Sequence, residues 1–354
     1  MARPTTDDED HPPLEPVVEA RTVVGRMLLP LADAIITRDL VGLGFWEPRE
    51  TRYLQSILQT GQTFVDVGAH VGYFSLLAAE LVGPAGAVIA VEPEARNLDL
   101  LRRNIARNGA DTVSVLPFAA AAAESTMSLA LDEYNRGAHR LVASDDPQAG
   151  PSVRCVRLDD VLPERVDVIK VDAQGYDHEV IEGLERTLTA NPRATLIVEV
   201  SRVELARRGV VPEAVLARYE ELDFLLSRFD PSGDRRRISA AEALAFMREP
   251  DSPEDYSLIL ERPASPPFGR DALPRWADGL EIIETEDGLE VLQPDSGRMH
   301  ELNLTAALVF ELCSGERSIA SIVEVVQAAF ELAEPPTAEV IACLDHLRRE
   351  GVVS

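Results

Sequence analysis

One lysine and several acidic residues occupy positions where buried strands are predicted to end. Residues 168–175 have the sequence Val-Ile-Lys-Val-Asp-Ala-Gln-Gly. Lys170 and Asp172 are two residues apart on the predicted strand, so their side chains lie on the same face. Asp172 is a candidate proton acceptor or orienting group, and Lys170 is suited to polarise an acceptor oxygen or to fix Asp172. A buried structural ion pair is the competing interpretation.

This lysine has no counterpart elsewhere in the chain. Of the 34 basic residues, 33 are arginine and Lys170 is the only lysine. A codon bias toward arginine explains why lysine is depleted, but it does not explain why the one remaining lysine lies at position 170. Because lysine and arginine differ in hydration, shape and ease of deprotonation, a lone lysine beside a carboxylate is a candidate functional residue.

Further polar residues are predicted to lie near this strand. Glu199 ends the predicted strand Thr195–Val200 and is a second candidate acid on the same sheet edge. Gln174 follows Asp172, Glu47 precedes Pro48, and Asn135 lies in a polar stretch, so these three are candidate substrate ligands. Structural roles for Glu47 and Glu199 are equally open. The six histidines show no metal-binding pattern, and we predict no metal site.

A glycine turn follows the first of these buried strands. Residues 63–75, TFVDVGAHVGYFS, combine an apolar strand containing Asp66, a turn with Gly68 and Gly72, and the start of an apolar helix. The turn lacks the extra glycine that admits a pyrophosphate in dinucleotide-binding folds. S-adenosylmethionine, which has an amino-acid end and a ribose but no phosphate, suits it better. We expect Asp66 to bind its ammonium group, directly or through water, and the turn amides, including that of Ala69, to face its carboxylate.

A second carboxylate is predicted at the end of the neighbouring strand. Strand Ala87–Val91 is followed by Glu92, whose two oxygens suit both hydroxyls of a ribose. Phe118 and Ala119, after the third strand, are expected beside the adenine. The competing interpretation makes Asp66 a loop acid, Glu92 a helix-capping acid and Phe118 a core residue.

Elements that would position these residues alternate along residues 25–262, which is the pattern of an α/β layer structure. The predicted buried strands are Thr63–Val67, Ala87–Val91, Val113–Leu116, Val166–Val171 and Thr195–Val200. The predicted helices include Ala95–Asn108 and Asp177–Leu188. Strands this apolar need helices on both faces, so we predict a Rossmann-like α/β sheet with its ligands at the carboxyl edge.

The composition changes after residue 262. Prolines indicate a linker at residues 263–273, and the acidic residues 1–24 are predicted to form a flexible tail. A small α+β domain of winged-helix outline is predicted for residues 274–354. Its expected strands are 280–286, 289–292 and 299–303, with a hairpin signal at 287–288, and its expected helices are 304–313, 318–330 and 337–350.

Charge and cysteine content restrict the class of partner. With 34 basic and 61 acidic residues the formal charge is −27, which disfavours nucleic acid and anionic membrane surfaces. The acidic N-terminus is unlike a signal peptide, so we expect neither export nor membrane insertion. Cys155, Cys313 and Cys343 have neither disulfide-framework nor zinc spacing, which fits a reducing cytoplasm.

Taken in order, these segments resemble the FkbM family of S-adenosylmethionine-dependent methyltransferases. The resemblance covers about residues 40–260 and is carried by GFWEP (44–48), VDVGAHVGYFS (65–75), AVEPE (90–94), NIARN (104–108), VIKVDAQGYDHEVIEGL (168–184) and IVEV (197–200). It implies a class I methyltransferase sheet, methyl transfer as the activity and S-adenosyl-L-methionine as the cofactor.

The C-terminal region resembles the PqqD family, small winged-helix domains that recognise leader segments of ribosomally made peptides. The resemblance is carried by PRW (274–276), HELN (300–303), AALVFEL (306–312), GER (315–317) and LRREG (347–351). We expect a leader to add a strand at the sheet edge near Met299, Glu301 and Leu302. DNA binding is disfavoured because residues 271–354 hold five arginines and seventeen acidic residues. A dimerisation or packing appendage is a third reading.

The sequence therefore predicts a methyltransferase that modifies a side-chain nitrogen or oxygen of a ribosomally synthesised precursor peptide. Two alternatives stay open. One is O-methylation of a sugar or polyketide hydroxyl, and the other is a peptide carrier whose methyltransferase fold is inactive. A homodimer is also left open.

Overall fold

The computed structural model describes residues 16–132, 134–249, 255–262, 271–285, 288–294, 298–330 and 332–354. The chain divides into two compact units, Met1–Pro263 and Ala264–Ser354. The division falls at the start of the predicted linker, of which residues 263–270 lie outside the described residues. Among the described residues, every helix is too short or too polar to span a bilayer.

The N-terminal unit alternates strands and helices. Its strands are β1 (Val17–Thr22), β2 (Gly25–Pro30), β3 (Thr63–Val67), β4 (Ala87–Val91), β5 (Val113–Leu116), β6 (Ala119–Ala120), β7 (Ser125–Ala130), β8 (Arg140–Val142), β9 (Ser152–Val156), β10 (Val168–Val171), β11 (Thr195–Ser201), β12 (Leu225–Phe229), β13 (Arg235–Ile238) and β14 (Asp255–Glu261). Its helices are α1 (Ile36–Leu43), α2 (Pro48–Ile57), α3 (Tyr73–Val82), α4 (Ala95–Asn108), α5 (Asp177–Glu182), α6 (Glu185–Ala190), α7 (Arg202–Arg207), α8 (Pro212–Glu221) and α9 (Ala240–Arg248).

Eight of these strands form a mixed central sheet in the order β13-β12-β14-β11-β10-β3-β4-β5. The five strands from β11 to β5 in this order are parallel, and the other three add antiparallel pairs at one side. From β3 the chain runs outward to β4 and β5 and then returns to β10 on the other side of β3. The order therefore reverses between β3 and β10, and the crevice at the carboxyl ends of these strands is the ligand position of such sheets.

Apolar packing covers both faces of the sheet. On β3, Val65 and Val67 belong to one buried cluster, whereas Phe64 belongs to another. Because alternate residues of a strand point to opposite faces, the two clusters lie on opposite sides. The first includes Val180 of α5 and the second includes Leu76 of α3. The predicted α/β class, with a Rossmann-like sheet between helices, is confirmed.

Two predictions about local structure need correction. The tail predicted for residues 1–24 is wrong from residue 17, because β1 pairs with β2 in an antiparallel hairpin, while residues 1–15 lie outside the described residues. The single helix predicted for Asp177–Leu188 is two helices, α5 and α6, interrupted at Gly183. A Cβ at Gly183 would lie 2.3 Å from the Ala121 carbonyl oxygen, so the glycine lets the two backbones touch.

A second sheet was not predicted. β6, β9, β7 and β8 form four neighbouring strands between β5 and β10 in sequence. A short 3-10 turn, Arg136–Ala138, lies between β7 and β8. Among the buried residues of this four-stranded sheet are Leu129, Leu141 and Cys155. This insertion brings residues 134–142 to the ligand crevice.

The C-terminal unit contains three strands and three helices. They are β15 (Glu281–Thr285), β16 (Gly288–Gln293), β17 (Arg298–Asn303), α10 (Leu304–Glu311), α11 (Ile319–Ala329) and α12 (Thr337–Arg349). The strands form an antiparallel sheet in the order β15-β16-β17. Phe310, Ile322 and Leu344 contribute to a separate apolar core in which each is fully buried. The predicted hairpin is present, although residues 286–287 of its turn lie outside the described residues.

Candidate active site

A cavity opens at the carboxyl ends of β3, β4 and β10. It encloses about 910 Å³, counting the part that is open to solvent. Of the residues predicted to bind the cofactor, those on its wall are Gly68, Ala69, Glu92, Phe118 and Ala119. Lys170, Asp172 and Gln174 line the same cavity from β10 and the loop after it. The structure thus brings the predicted cofactor ligands and the predicted catalytic pair to one place.

Glu92 has the environment expected of a ribose ligand. Its side chain lies at the cavity wall but is only 5% exposed. Its Oε2 accepts a hydrogen bond from the His70 amide and its Oε1 accepts one from the Glu94 amide, each at 2.9 Å. Burial raises the pKa of Glu92 to about 7. Each oxygen keeps a lone pair for another donor, so the carboxylate suits a pair of neighbouring hydroxyls.

The amides of the glycine turn do not face the cavity as expected. Gly68 and Ala69 both donate to the Val91 carbonyl oxygen, at 2.9 and 3.0 Å, and Gly72 donates to that of Ala69 at 2.8 Å. The prediction that these amides bind the carboxylate of S-adenosylmethionine is therefore wrong for these three residues. Their hydrogen bonds tie the turn to the end of β4 instead.

Asp66 is buried beneath this turn. It is 1% exposed and is not among the described residues that line the cavity. Its Oδ2 accepts a hydrogen bond from the Ser75 hydroxyl at 2.6 Å, and burial raises its pKa, a shift that Lys170 opposes. Direct contact with the ammonium group of the cofactor is not supported, so a role through water or through the turn remains the prediction for Asp66.

Phe118 and Ala119 lie on the side of the cavity next to β4. They are 8% and 4% exposed, and Ala119 belongs to β6 of the inserted sheet. Their position beside Glu92 on the same wall fits a purine attached to a ribose, which stays a prediction. Both residues also pack in the apolar interior, so they serve the core as well.

Lys170 lies among three carboxylates. Those of Glu47, Asp172 and Glu199, hereafter the acid cluster, each place an oxygen within 4.8 Å of the others. The Lys170 Nζ is 3.1 Å from Asp172 Oδ2 and 3.6 Å from Glu47 Oε2. Although burial opposes the charge, Asp172 and Glu47 hold the pKa of Lys170 well above its ordinary value. The lysine is therefore a charged ammonium that fixes two members of the acid cluster.

Gln174 links Asp172 to the third carboxylate of the acid cluster, Glu199. Its Nε2 donates to Asp172 Oδ1 at 2.9 Å and to Glu199 Oε1 at 3.0 Å. It does so from a left-handed backbone conformation, with φ of 48°, which is uncommon outside glycine. Asp172 is thus held by Lys170 through one oxygen and by Gln174 through the other, a fixed orientation suited to a catalytic carboxylate.

The other two members of the acid cluster are held partly in their protonated forms. Burial raises the pKa of Glu47 to about 7, with repulsion by Asp172 adding to the effect and Lys170 opposing it. Burial and the neighbouring Asp172 raise the pKa of Glu199 well above its ordinary value. One lysine therefore does not neutralise three ionised carboxylates in this site, and Glu47 exchanges its proton near neutral pH.

A wider depression, the acceptor cleft, adjoins the cavity. It encloses about 2270 Å³, counting the part open to solvent, and shares Trp46, Gly137, Asp172 and Gln174 with the cavity wall. Glu47, Glu199 and Asn135 line the cleft as well. The Asn135 side chain also accepts from the Gly137 amide at 3.2 Å and so caps the turn Arg136–Ala138.

Sequence reasoning missed two residues of this site. Trp46 lines both the cavity and the acceptor cleft, and its Nε1 donates to Glu47 Oε1 at 3.1 Å. His70 lines the cavity, and its Nε2 lies 4.0 Å from Asp33 Oδ2. Burial lowers the pKa of His70 to about 4, so the ring is neutral at physiological pH. Both stand inside the quoted motifs, next to a predicted site residue, and that adjacency was the available signal.

The predicted leader-binding residues lie in the C-terminal unit, on β17. Met299, Glu301 and Leu302 line a groove between this strand and α12, together with His300, His346, Leu347, Glu350 and Val352. Met299 is 51% exposed, while Leu302, Leu347 and Val352 are buried. β17 pairs with β16 on one side, and on the other it has no strand partner within the part of the chain that is described. The groove thus combines an open strand edge with a lining of both apolar and polar side chains.

Comparisons with known families agree with this geometry. Residues 66–230 match the model of the Methyltransferase FkbM domain, and residues 290–353 match that of Coenzyme PQQ synthesis protein D. The chain carries an FkbM methyltransferase domain and a PqqD domain. Both predicted resemblances are confirmed. The FkbM match also confirms the predicted methyltransferase activity and S-adenosylmethionine as its cofactor. This cofactor supplies an electrophilic methyl group on a sulfonium, and Glu92 at the cavity wall stays the predicted ligand of its ribose.

Solved structures similar to this FkbM-containing chain are remote. Methyltransferase FkbM from Methylobacillus flagellatus is 15% identical with a TM-score of 0.35, over 59% of this chain and 50% of that one. Precorrin-6y C5,15-methyltransferase from Geobacter metallireducens is 15% identical, TM-score 0.36, over 61% and 88%. A SAM-dependent O-methyltransferase from Thermotoga maritima is 14% identical, TM-score 0.36, over 70% and 78%. No curated protein matches the chain.

Proposed function

We propose that this methyltransferase modifies a side-chain nitrogen or oxygen of a ribosomally synthesised precursor peptide, and that the PqqD domain binds the leader of that peptide. The groove between β17 and α12 carries this proposal, because it offers what an extended peptide needs. Unpaired backbone groups on the strand edge supply hydrogen bonds, and the groove beside α12, with the half-exposed Met299, contacts alternate side chains. A leader held there raises the local concentration of the core peptide at the acceptor cleft.

In this proposal the residues of the FkbM domain have distinct roles. Glu92 binds the ribose hydroxyls and Phe118 lies beside the adenine. Asp172 orients the acceptor or takes its proton, in a position fixed by Lys170 and Gln174. Support comes from the shared cavity wall and from the hydrogen bonds that leave Asp172 one defined orientation.

Leader binding is tested in the full-length protein with a labelled synthetic peptide. Its sequence is the leader encoded by a short reading frame beside the gene. We expect Met299→Asp to weaken binding of this peptide by roughly tenfold or more, because it places a charge in the half-exposed apolar part of the groove. Fluorescence anisotropy measures the dissociation constant.

Ile282→Asp is the matched control. Ile282 is 48% exposed on β15, the opposite edge strand of the same sheet, so the two variants change charge and exposure alike. Unchanged leader affinity in Met299→Asp, or equal weakening in both variants, would refute binding in this groove. Methylation of a sugar or polyketide hydroxyl with no peptide bound would favour the small-molecule alternative.

A further inference from the structure

Carboxylates dominate the wall of the acceptor cleft. Among the described residues that line it, seven are acidic and three are arginines. The acidic residues are Glu47, Glu50, Asp172, Glu199, Glu204, Asp230 and Asp255. A cleft lined in this way attracts cations and repels anions.

The cations near the cleft already have partners or face solvent. Arg207 binds Glu204, and Arg228 donates to the Phe229 carbonyl oxygen at 3.1 Å while lying 4.2 Å from the centre of the Phe246 ring. Arg49 is exposed, and Lys170 is already shared between Asp172 and Glu47. The protein's own cations therefore leave an excess of negative charge on the wall.

This excess is directed toward the acceptor and not only toward the cofactor. Glu47 and Glu199 line the acceptor cleft but are not among the described residues that line the cofactor cavity. Asp172 lies on both walls and is the member of the acid cluster at their junction. A group that occupies the cleft next to the cofactor cavity therefore lies near these three carboxylates.

From this placement we propose that the acceptor is a basic nitrogen, a guanidinium or a primary ammonium, that enters the cleft as a cation. The inference rests on the proposed peptide substrate and narrows it to arginine, lysine or an N-terminal amine. The cation binds between the acid cluster and the face of Trp46, which lines the same opening. The groups that surround it are Glu47, Asp172 and Glu199.

The acid cluster also accepts the proton that the bound cation must lose before methyl transfer. The bound cation gives one proton to an ionised carboxylate of the acid cluster, which becomes a neutral carboxyl, and the nitrogen gains a free lone pair. That lone pair forms the new N–C bond while the C–S bond of the sulfonium breaks and leaves its electron pair on sulfur. The methylated nitrogen then carries the positive charge, and the carboxyl returns its proton to water.

A hydroxyl acceptor fits this cleft less well. It enters without charge and gains nothing from the acidic wall. Losing its proton creates an alkoxide beside the ionised Asp172, and like charges this close repel. Lys170, the ammonium that could stabilise the alkoxide, is already shared between Asp172 and Glu47.

The test compares a cation with its neutral isostere. N-acetyl-arginine methylamide and N-acetyl-citrulline methylamide have nearly the same shape, but only the first is charged. We expect the arginine compound to bind the full-length protein at least about tenfold more tightly, measured by calorimetry with S-adenosylhomocysteine present so that no sulfonium competes. Equal affinity, tighter binding of the citrulline compound, or no binding of either the arginine compound or N-acetyl-lysine methylamide overturns the inference.

Three variants show whether this preference arises in the cleft. Glu199→Gln and Glu47→Gln should each reduce the preference severalfold, because a bound cation favours the ionised form of each carboxyl group and glutamine cannot ionise. Glu80→Gln, on the exposed end of α3, removes the same charge elsewhere and should leave it unchanged. An equal loss in Glu80→Gln would show that the net charge of the chain, and not the cleft, selects the cation, and would overturn the inference.

The inference and the proposed function fail separately. If the cation preference persists but no leader binds, the acceptor class stands and the peptide proposal falls. If the leader binds but the two probes bind equally, the peptide proposal stands and the basic acceptor falls.

Discussion

Among the predicted cofactor ligands, Glu92 is the residue whose replacement tests cofactor binding most directly. Its carboxylate faces the cavity, yet the described hydrogen bonds to it come from two backbone amides at the ends of β3 and β4. Burial raises its pKa from an ordinary value of 4.5 to about 7, although these hydrogen bonds and one from the Asn97 side chain oppose the shift. Donors that reach the charged form lower such a pKa again, so ligand hydroxyls and this carboxylate stabilise each other.

Glu92→Ala should therefore weaken binding of S-adenosylhomocysteine by roughly 100-fold, since two hydrogen bonds to a charged group are lost. Calorimetry measures the dissociation constant. In the unchanged protein, affinity should also rise from about pH 6 to about pH 8, because binding favours ionised Glu92 and so releases a proton. Glu92→Ala should lose most of this pH dependence. An unaltered dissociation constant in Glu92→Ala would remove the ribose assignment.

Several residues of the site were predictable because each belongs to a recognisable local pattern. Lys170 and Asp172 alternate on an apolar strand, and Glu92 directly follows one. The contacts that give these residues their properties were not predictable. Glu47 is 123 residues away from Lys170 in sequence, and only the tertiary fold brings the two side chains into contact. The pairing of Gln174 with Glu199 requires the register of β10 against β11.

The glycine turn after β3 shows how an element supports the site without touching the ligand. Gly68 has φ of 82°, and a Cβ there would lie 2.0 Å from the Asp172 carbonyl oxygen. The turn after β3 and the loop after β10 therefore pack backbone against backbone. Gly68 thereby fixes the position of Asp172 relative to the cavity.

Gly68→Ala should lower the stability of the protein by about 2 kcal/mol or more, since it combines a left-handed backbone with a steric clash. Thermal unfolding measures the change. Gly61→Ala is the control, because Gly61 also has φ of 82° but a Cβ there would meet nothing within 4 Å. Gly61→Ala should lower the stability only by the cost of placing alanine in a left-handed backbone conformation. If both variants lose the same stability, the close approach to Asp172 has no energetic weight.

Element prediction succeeded where one residue pattern dominates and failed where packing decides. The helix Ala95–Asn108 matches its prediction at both ends, because Glu94 caps its start and Gly109 adopts a left-handed conformation at its end. The split between α5 and α6 depends on contact between Gly183 and Ala121, which are 62 residues apart in sequence. The inserted sheet was missed because its strands are short, from two to six residues.

The acidic composition of the chain and its division into two units are both consistent with the proposed function. A formal charge of −27 disfavours a nucleic-acid substrate, which agrees with the acidic acceptor cleft. In the proposed function the PqqD domain selects the peptide and the FkbM domain selects the atom. Tethering then allows weak contacts in the cleft to suffice, because the leader keeps the core peptide at high local concentration.

The most direct measurement is a crystal structure of the full-length protein grown with S-adenosylhomocysteine. We expect the ribose hydroxyls on Glu92, the purine beside Phe118 and the sulfur facing the junction of the cavity with the acceptor cleft, next to Asp172. Density for the nucleoside elsewhere, or a cavity closed by the Trp46 and His70 side chains with no nucleoside bound, would contradict it.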